Sequence, residues 1–214
     1  MKKLIFYILL IFFTLHANAQ VKENLKIPKN PKIGLSLSGG GAKGFAHVGV
    51  LKVLDSLGVK VDYISGTSMG AIVGGLYASG YTGKDIEKII LDTDFYNLIS
   101  NKNNRAESSF FNKSVDKYLL KVPIKNGKAT LPTSISSGQK NLYLLKELFK
   151  NVSNINDFSK LPIPFMCVAT NLETGKIKIF ENGDLSESIL ASSAFPSLMD
   201  PVKIGDSIYV DGAM

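Results

Sequence analysis

The chain has 214 residues, a net charge of +7 at pH 7, 45% hydrophobic side chains and one cysteine. About 190 residues beyond an amino-terminal leader suit one domain with a sizeable core, and lysines scattered rather than clustered exclude a nucleic-acid footprint. The lone Cys167, inside the apolar run Pro164 to Ala169, excludes an internal disulfide and reads as a small core hydrophobe.

Residues 1–19 open with Lys2 and Lys3, continue through the apolar run Leu4 to Leu15 and close on Ala17-Asn18-Ala19, the pattern of a secretory signal peptide. The apolar core is about a dozen residues where a membrane span needs roughly twenty. Export follows as the expectation, to the periplasm, the outer membrane or the medium. Position 20 is Gln and no cysteine follows the cleavage site, so no lipid attachment at a new amino terminus is expected. Residues 20–31 form a polar lead-in.

The folded domain is expected from residue 32 onward. Ile33 to Leu37 reads as a buried strand, Gly39-Gly40-Gly41 as a tight loop, and Ala42 to Leu57 as a helix stopped by Gly58. Val61-Asp62-Tyr63-Ile64 gives a second strand and Ala71 to Ala78 a helix of small residues that packs close behind it. Strands and helices alternating through short connections predict an α/β fold, a three-layer sandwich with a central, mainly parallel sheet covered on both faces. Thr82 with Asp85 predicts a capping box on a helix reaching about Leu91. Ser100 to Ser109 is polar and breaker-rich, a loop or lid. Asn126-Gly127 predicts a hairpin that Pro123 and Pro132 confine to an edge.

A helix from Gly138 to Lys150 places Leu142, Leu145 and Phe149 on one face. Pro164 to Asn171 and Lys176 to Phe180 read as strands around a Thr174-Gly175 turn, Leu185 to Ala194 as a helix ended by Pro196, and Ser207 to Val210 as a last strand. That strand delivers Asp211-Gly212-Ala213 at its carboxyl end, the edge where open parallel sheets bind ligands. The chain stops one residue later, which leads to the expectation of a domain truncated at its C-terminal end.

Chemistry concentrates in three places. Gly66-Thr67-Ser68-Met69-Gly70 follows an apolar strand and opens a helix, the context of a nucleophile elbow. There the serine sits on a strained turn, and Gly66 and Gly70 spare its neighbours a Cβ. Ser68 needs a base, and the one histidine beyond the leader, His47, falls on the second turn of its helix, better placed to pack or meet water. By elimination the base is a carboxylate. Asp211 is the candidate, with Gly212 letting the backbone turn tightly beside the elbow; a plain strand-ending Asx turn is the bland alternative. In Ser38-Gly39-Gly40-Gly41-Ala42-Lys43-Gly44, consecutive glycines at a strand-to-helix turn aim backbone N–H groups at one point, an oxyanion hole. Lys43 either reinforces that pocket or is solvated. Gly39, Gly41 and Gly44 also match a dinucleotide-binding fingerprint. That reading fails because the second strand ends in Ile64-Ser65-Gly66 with no acid, Asp62 lying near its start.

Taken in order, Gly39-Gly40-Gly41-Ala42-Lys43-Gly44, Gly66-Thr67-Ser68-Met69-Gly70 and Asp211-Gly212-Ala213 resemble the patatin-like phospholipases. Ala169-Thr170-Asn171-Leu172 and Ala191-Ser192-Ser193-Ala194-Phe195-Pro196 are similar to that family's later segments. The resemblance covers essentially all of residues 32–214. It implies a Ser68–Asp211 dyad and the glycine loop as oxyanion hole. It also implies hydrolysis of phospholipid or other lipid esters at a membrane surface with no metal or cofactor. Secreted bacterial relatives continue into small periplasmic domains and an outer-membrane barrel, so an outer-membrane domain missing from this chain is the matching expectation. Two readings compete: an α/β-hydrolase whose histidine lies beyond residue 214, and a secreted lipid-binding module without turnover.

Overall fold

The computed structural model describes residues 31–100, 124–125, 128–129 and 134–214. The expected leader, most of the lead-in, the polar stretch after Ser100, and Pro123, Asn126, Gly127 and Pro132 lie outside the described residues.

Strand β1 (Gly34–Leu37) leads through the glycine loop into a 3-10 turn (Gly41–Phe45) and helix α1 (Ala46–Ser56). The single helix expected over Ala42 to Leu57 thus begins as a tighter coil. Gly44 is buried against Met69, where an added Cβ would lie 2.6 Å from that residue's own Cβ. Gly58, at φ 64, ends the helix in the left-handed conformation that glycine adopts without a Cβ penalty. Strand β2 (Tyr63–Thr67) and helix α2 (Met69–Ala78) follow. β2 runs past its expected end through Ser65 and Gly66, because Gly66 pairs with Leu37 on one side and Cys167 on the other. Ladder partners on both flanks outweigh glycine's poor strand propensity.

Helix α3 (Gly83–Asp92) carries the expected capping box: Asp85 N–H donates to Thr82 Oγ1, and Thr82 N–H donates to Asp85 Oδ2 at 2.9 Å. A short helix α4 (Phe95–Ser100) comes next. Strands β3 (Ile124–Lys125) and β4 (Lys128–Ala129) pair antiparallel, consistent with the expected hairpin. Strand β5 (Ser134–Ser136) and helix α5 (Gln139–Leu148) complete the central part; Leu145 and Phe149 are buried as their spacing predicts. Then come β6 (Phe165–Asn171), β7 (Ile177–Phe180), α6 (Leu185–Ser192), β8 (Ser197–Met199), β9 (Val202–Ile204) and β10 (Ser207–Asp211). β5 and β8, which pair with each other, and β9 have no counterpart among the expected elements, being three residues each and too short to show alternation.

The layered α/β arrangement is as expected, but the main sheet is mixed. β1, β2 and β6 are parallel, whereas β7, β9 and β10 join antiparallel. For the β6–β7 and β9–β10 pairs the cause is local. β6 and β7 are linked by an Asx turn, with the Asn171 side chain accepting from Glu173 and Thr174 N–H, and β9 and β10 by Gly205-Asp206. Neither link is long enough for a parallel crossover.

The register around β6 positions the site. Cys167 and Val168 pair with Gly66 and Thr67 of β2 and, on the other edge, with Phe180 and Ile179 of β7. One step along, Ala169 and Thr170 pair with Asp211 and Val210 of β10 and again with β7. β2 and β10 therefore share one edge of β6, end to end. Since β2 is parallel to β6 and β10 antiparallel, their carboxyl ends face each other.

Helix α2 packs on the sheet through its small residues: a Cβ on Gly74 would meet Ile64 Cγ2 at 3.0 Å and Phe165 Cε2 at 3.5 Å, and one on Gly75 would meet Ile189 of α6. Cys167 is fully buried on this face, and burial pushes its thiol well above the ordinary range, in keeping with a core hydrophobe. Cover on both faces is the expectation from sequence. Among the described residues, the face away from α2 is exposed at Tyr63, Met166, Ile177 and Ile179. Replacing Thr82 by Ala removes one half of the α3 cap and is predicted to lower unfolding stability by about 1 kcal/mol in urea titrations, with the m-value unchanged.

Candidate active site

Ser68 occupies the turn between β2 and α2 with φ 55 and ψ −123, a conformation that a serine adopts only when its surroundings impose it, at about 1–3 kcal/mol. The flanking glycines allow the approach that imposes it. A Cβ on Gly66 would lie 2.6 Å from Ala71 Cα, and one on Gly70 would lie 2.6 Å from the Ser38 carbonyl oxygen. With both positions bare, the start of α2 presses against the end of β1 and the serine side chain is turned outward.

Asp211 ends β10 directly opposite. Ser68 Oγ donates to its Oδ2 at 2.5 Å, Ala213 N–H donates to its Oδ1 at 2.9 Å, and the residue is 2% exposed. The sequence places Asp211 at the carboxyl edge of a parallel sheet. The structure corrects the direction: β10 enters from the opposite end and reaches Ser68 because β6 continues three residues past the end of β2. Gly212 is required at the junction, since a Cβ there would run into the Val168 carbonyl and lie 3.0 Å from Thr67 Cγ2.

The glycine loop closes the third side. A Cβ on Gly39 would be 3.1 Å from Ser68 Cβ, and Gly40 (φ 151) and Gly41 (φ 54) adopt positive φ that favours glycine. Lys43 is exposed. His47 stands behind the loop, its Nε2–H donating to the Ser38 carbonyl at 2.9 Å. Asp62 accepts from the Ile33 N–H at the far end of the sheet, away from the glycines, so the dinucleotide reading has no acid to hold a ribose.

Ser192 is the participant that the sequence does not single out as a site residue. Fully buried at the end of α6, its Oγ accepts from the Ser68 N–H at 3.0 Å and donates to the Val168 carbonyl at 2.5 Å. The Asp211 N–H donates to Ala194 O at 2.9 Å and the Gly212 N–H to Ser192 O at 3.2 Å. Its segment is among the quoted resemblances, but a serine at the end of an apolar helix carries no chemical signal by itself.

The model of the patatin-like phospholipases matches residues 35–214. The chain belongs to this family. Among its patatin-like relatives, an NTE family protein of Mycobacterium tuberculosis is 29% identical over 185 residues, covering 86% of this chain and 43% of the relative. Lysophospholipase NTE1 of Debaryomyces hansenii is 32% identical over 187 residues, covering 87% and 10%. The chain thus spans less than half of the first relative's length and about a tenth of the second's. Of solved structures, VipD from Legionella pneumophila is similar with a TM-score of 0.54 at 19% identity over 86% of this chain and 46% of that one. ExoU of Pseudomonas aeruginosa, in complex with SpcU, gives 0.52 at 18% over 78% and 39%. At such identities they attest the fold. The patatin-like assignment removes the competing α/β-hydrolase fold.

In the patatin-like site the spacing between β2 and β10 depends on Gly212. Gly212→Ala is predicted to wedge β10 away from Thr67 and Val168 and destabilise the protein by about 1–3 kcal/mol, read as a lower melting temperature.

Proposed function

We propose that this protein hydrolyses acyl esters of lipids, phospholipids among them, through an acyl-enzyme on Ser68. The observation that carries this reading is the hydroxyl of a strained serine donating at 2.5 Å to a buried carboxylate with no imidazole between them. The family supports lipid esters as the substrate class, as does the relative that bears the name lysophospholipase.

In the first step Asp211 Oδ2 takes the hydroxyl proton as Ser68 Oγ bonds to the ester carbonyl carbon, and the carbonyl π pair moves onto oxygen. Backbone N–H groups of Gly39, Gly40 and Gly41 receive the oxyanion, each such donor contributing about 3 kcal/mol to the barrier reduction. Collapse breaks the ester C–O bond, and the leaving alkoxide takes the proton held by Asp211. In the second step a water gives its proton to Asp211 and attacks the acyl carbon, and Ser68 leaves with that proton. The Ala213 N–H on Oδ1 keeps Oδ2 turned toward Ser68 throughout. The leader read in residues 1–19 supports export as the route to a lipid surface outside the cytoplasm.

Assays of the intact protein on medium-chain esters and phospholipids should find kcat/KM reduced by about 10³–10⁴-fold in both Ser68→Ala and Asp211→Asn. A fluorophosphonate probe should add its mass to the wild type at Ser68 and not to Ser68→Ala. Full turnover in both variants would sink the dyad. A folded wild type that neither turns over nor takes the probe would favour the non-catalytic binding module. Amino-terminal sequencing of exported protein should begin at Gln20.

A further inference from the structure

We propose that Ser192 is a positioning residue, its hydroxyl inserted as a rung of the β2–β6 ladder and holding the elbow at the distance at which Ser68 meets Asp211. This rests on the reading above for its catalytic consequence, but its structural half stands on the hydrogen-bond geometry alone.

The argument starts from the ladder. β2 and β6 are parallel, and in a parallel pair the hydrogen bonds recur at every second residue with the register preserved. Ile64 N–H donates to Pro164 O at 2.9 Å. Counting on by twos, the N–H of residue 66 falls to the carbonyl of residue 166, and that of Ser68 to the carbonyl of Val168. At that last rung the direct bond is replaced: Ser68 N–H donates to Ser192 Oγ at 3.0 Å, and Ser192 Oγ–H donates onward to Val168 O at 2.5 Å. A side-chain hydroxyl therefore stands where the two backbones would otherwise join. It keeps both polar groups satisfied while the chain at Ser68 swings out of the strand.

The orientation of this hydroxyl is particular to Ser192. Ser188 on the same helix and Ser193 just past its end turn their hydroxyls back onto carbonyls of that segment, Asp184 O and Ile189 O. Ser192 bonds across to two strands instead. The main chain of the same turn holds the opposing strand end, with Ala194 O accepting from Asp211 N–H and Ser192 O from Gly212 N–H. One helix end thus fixes both partners of the 2.5 Å bond between Ser68 and Asp211. A second consequence follows for the oxyanion. Because the Ser68 N–H is committed to Ser192, it is not among the donors for the developing charge.

Removing the hydroxyl leaves the Ser68 N–H and the Val168 carbonyl without their shared partner in a fully buried place. In Ser192→Ala, native-state hydrogen exchange should show the Ser68 amide exchanging at least about tenfold faster, with the Gly66 amide unchanged. On esters, kcat should fall by about 10–100-fold with KM within about twofold, since misplacement of this kind acts on the reacting geometry rather than on binding. The rate of fluorophosphonate labelling should fall in parallel. Ser192→Thr, which keeps the hydroxyl, should recover most of the rate.

The proposal is overturned if the Ser68 amide is equally protected in Ser192→Ala, or if that variant keeps wild-type kcat below its melting transition. It is also overturned if a Ser192→Thr protein that melts with the wild type is as slow as Ser192→Ala. Turnover that survives Ser68→Ala would instead sink the dyad, and the amide readout would still decide whether the rung exists.

Discussion

Two strands cannot occupy the same stretch of one edge, and the rest of this site follows from that exclusion. β2 and β10 approach along β6 from opposite ends, and the last ladder pairs, Thr67 with Val168 and Asp211 with Ala169, fall on neighbouring residues. Each chain must leave the sheet at once. On the β2 side the exit puts Ser68 at φ 55, and on the β10 side it requires Gly212, whose missing Cβ makes room for Thr67 and the Val168 carbonyl. The backbone strain at the serine is thus imposed by the sheet and not stored separately, and the hydroxyl and the carboxylate meet because their strands collide.

An abrupt exit leaves backbone donors behind, and buried donors must be paired. The carboxyl end of α6 takes up three of them, from Ser68, Asp211 and Gly212. The helix stops at Ser192, two residues short of the expected Ala194, and the carbonyls of Ser192 and Ala194, which have no intrahelical donor, accept from the end of β10. On the other side, His47 holds the Ser38 carbonyl where the glycine loop leaves β1. A residue read as one that packs or meets water is a strut for the loop.

The legible parts of the fold were those in which local chemistry and tertiary demand agree. Gly66, Ser68 and Gly70 announce the elbow because close approach of helix and strand tolerates no side chain there, and Thr82 with Asp85 announces a helix start through bonds confined to one turn. The Ser68–Asp211 pairing could be inferred by elimination, as no histidine was suitably placed. The direction of β10 against β6 could not, because Ser207 to Val210 reads the same in a parallel or an antiparallel strand. Ser192 was invisible for a deeper reason: its meaning lies in a ladder rung between two other segments, and no pattern within its own helix encodes that.

The partners of the Ser68–Asp211 bond are 143 residues apart in the chain. Loops of that size close late, after local helices and neighbouring strands have formed. During synthesis the elbow leaves the ribosome well before Asp211 is made, so the Ser68 hydroxyl lacks this hydrogen-bond partner until β10 docks. On the function proposed above, a polypeptide interrupted before β10 would carry Ser68 without its proton acceptor.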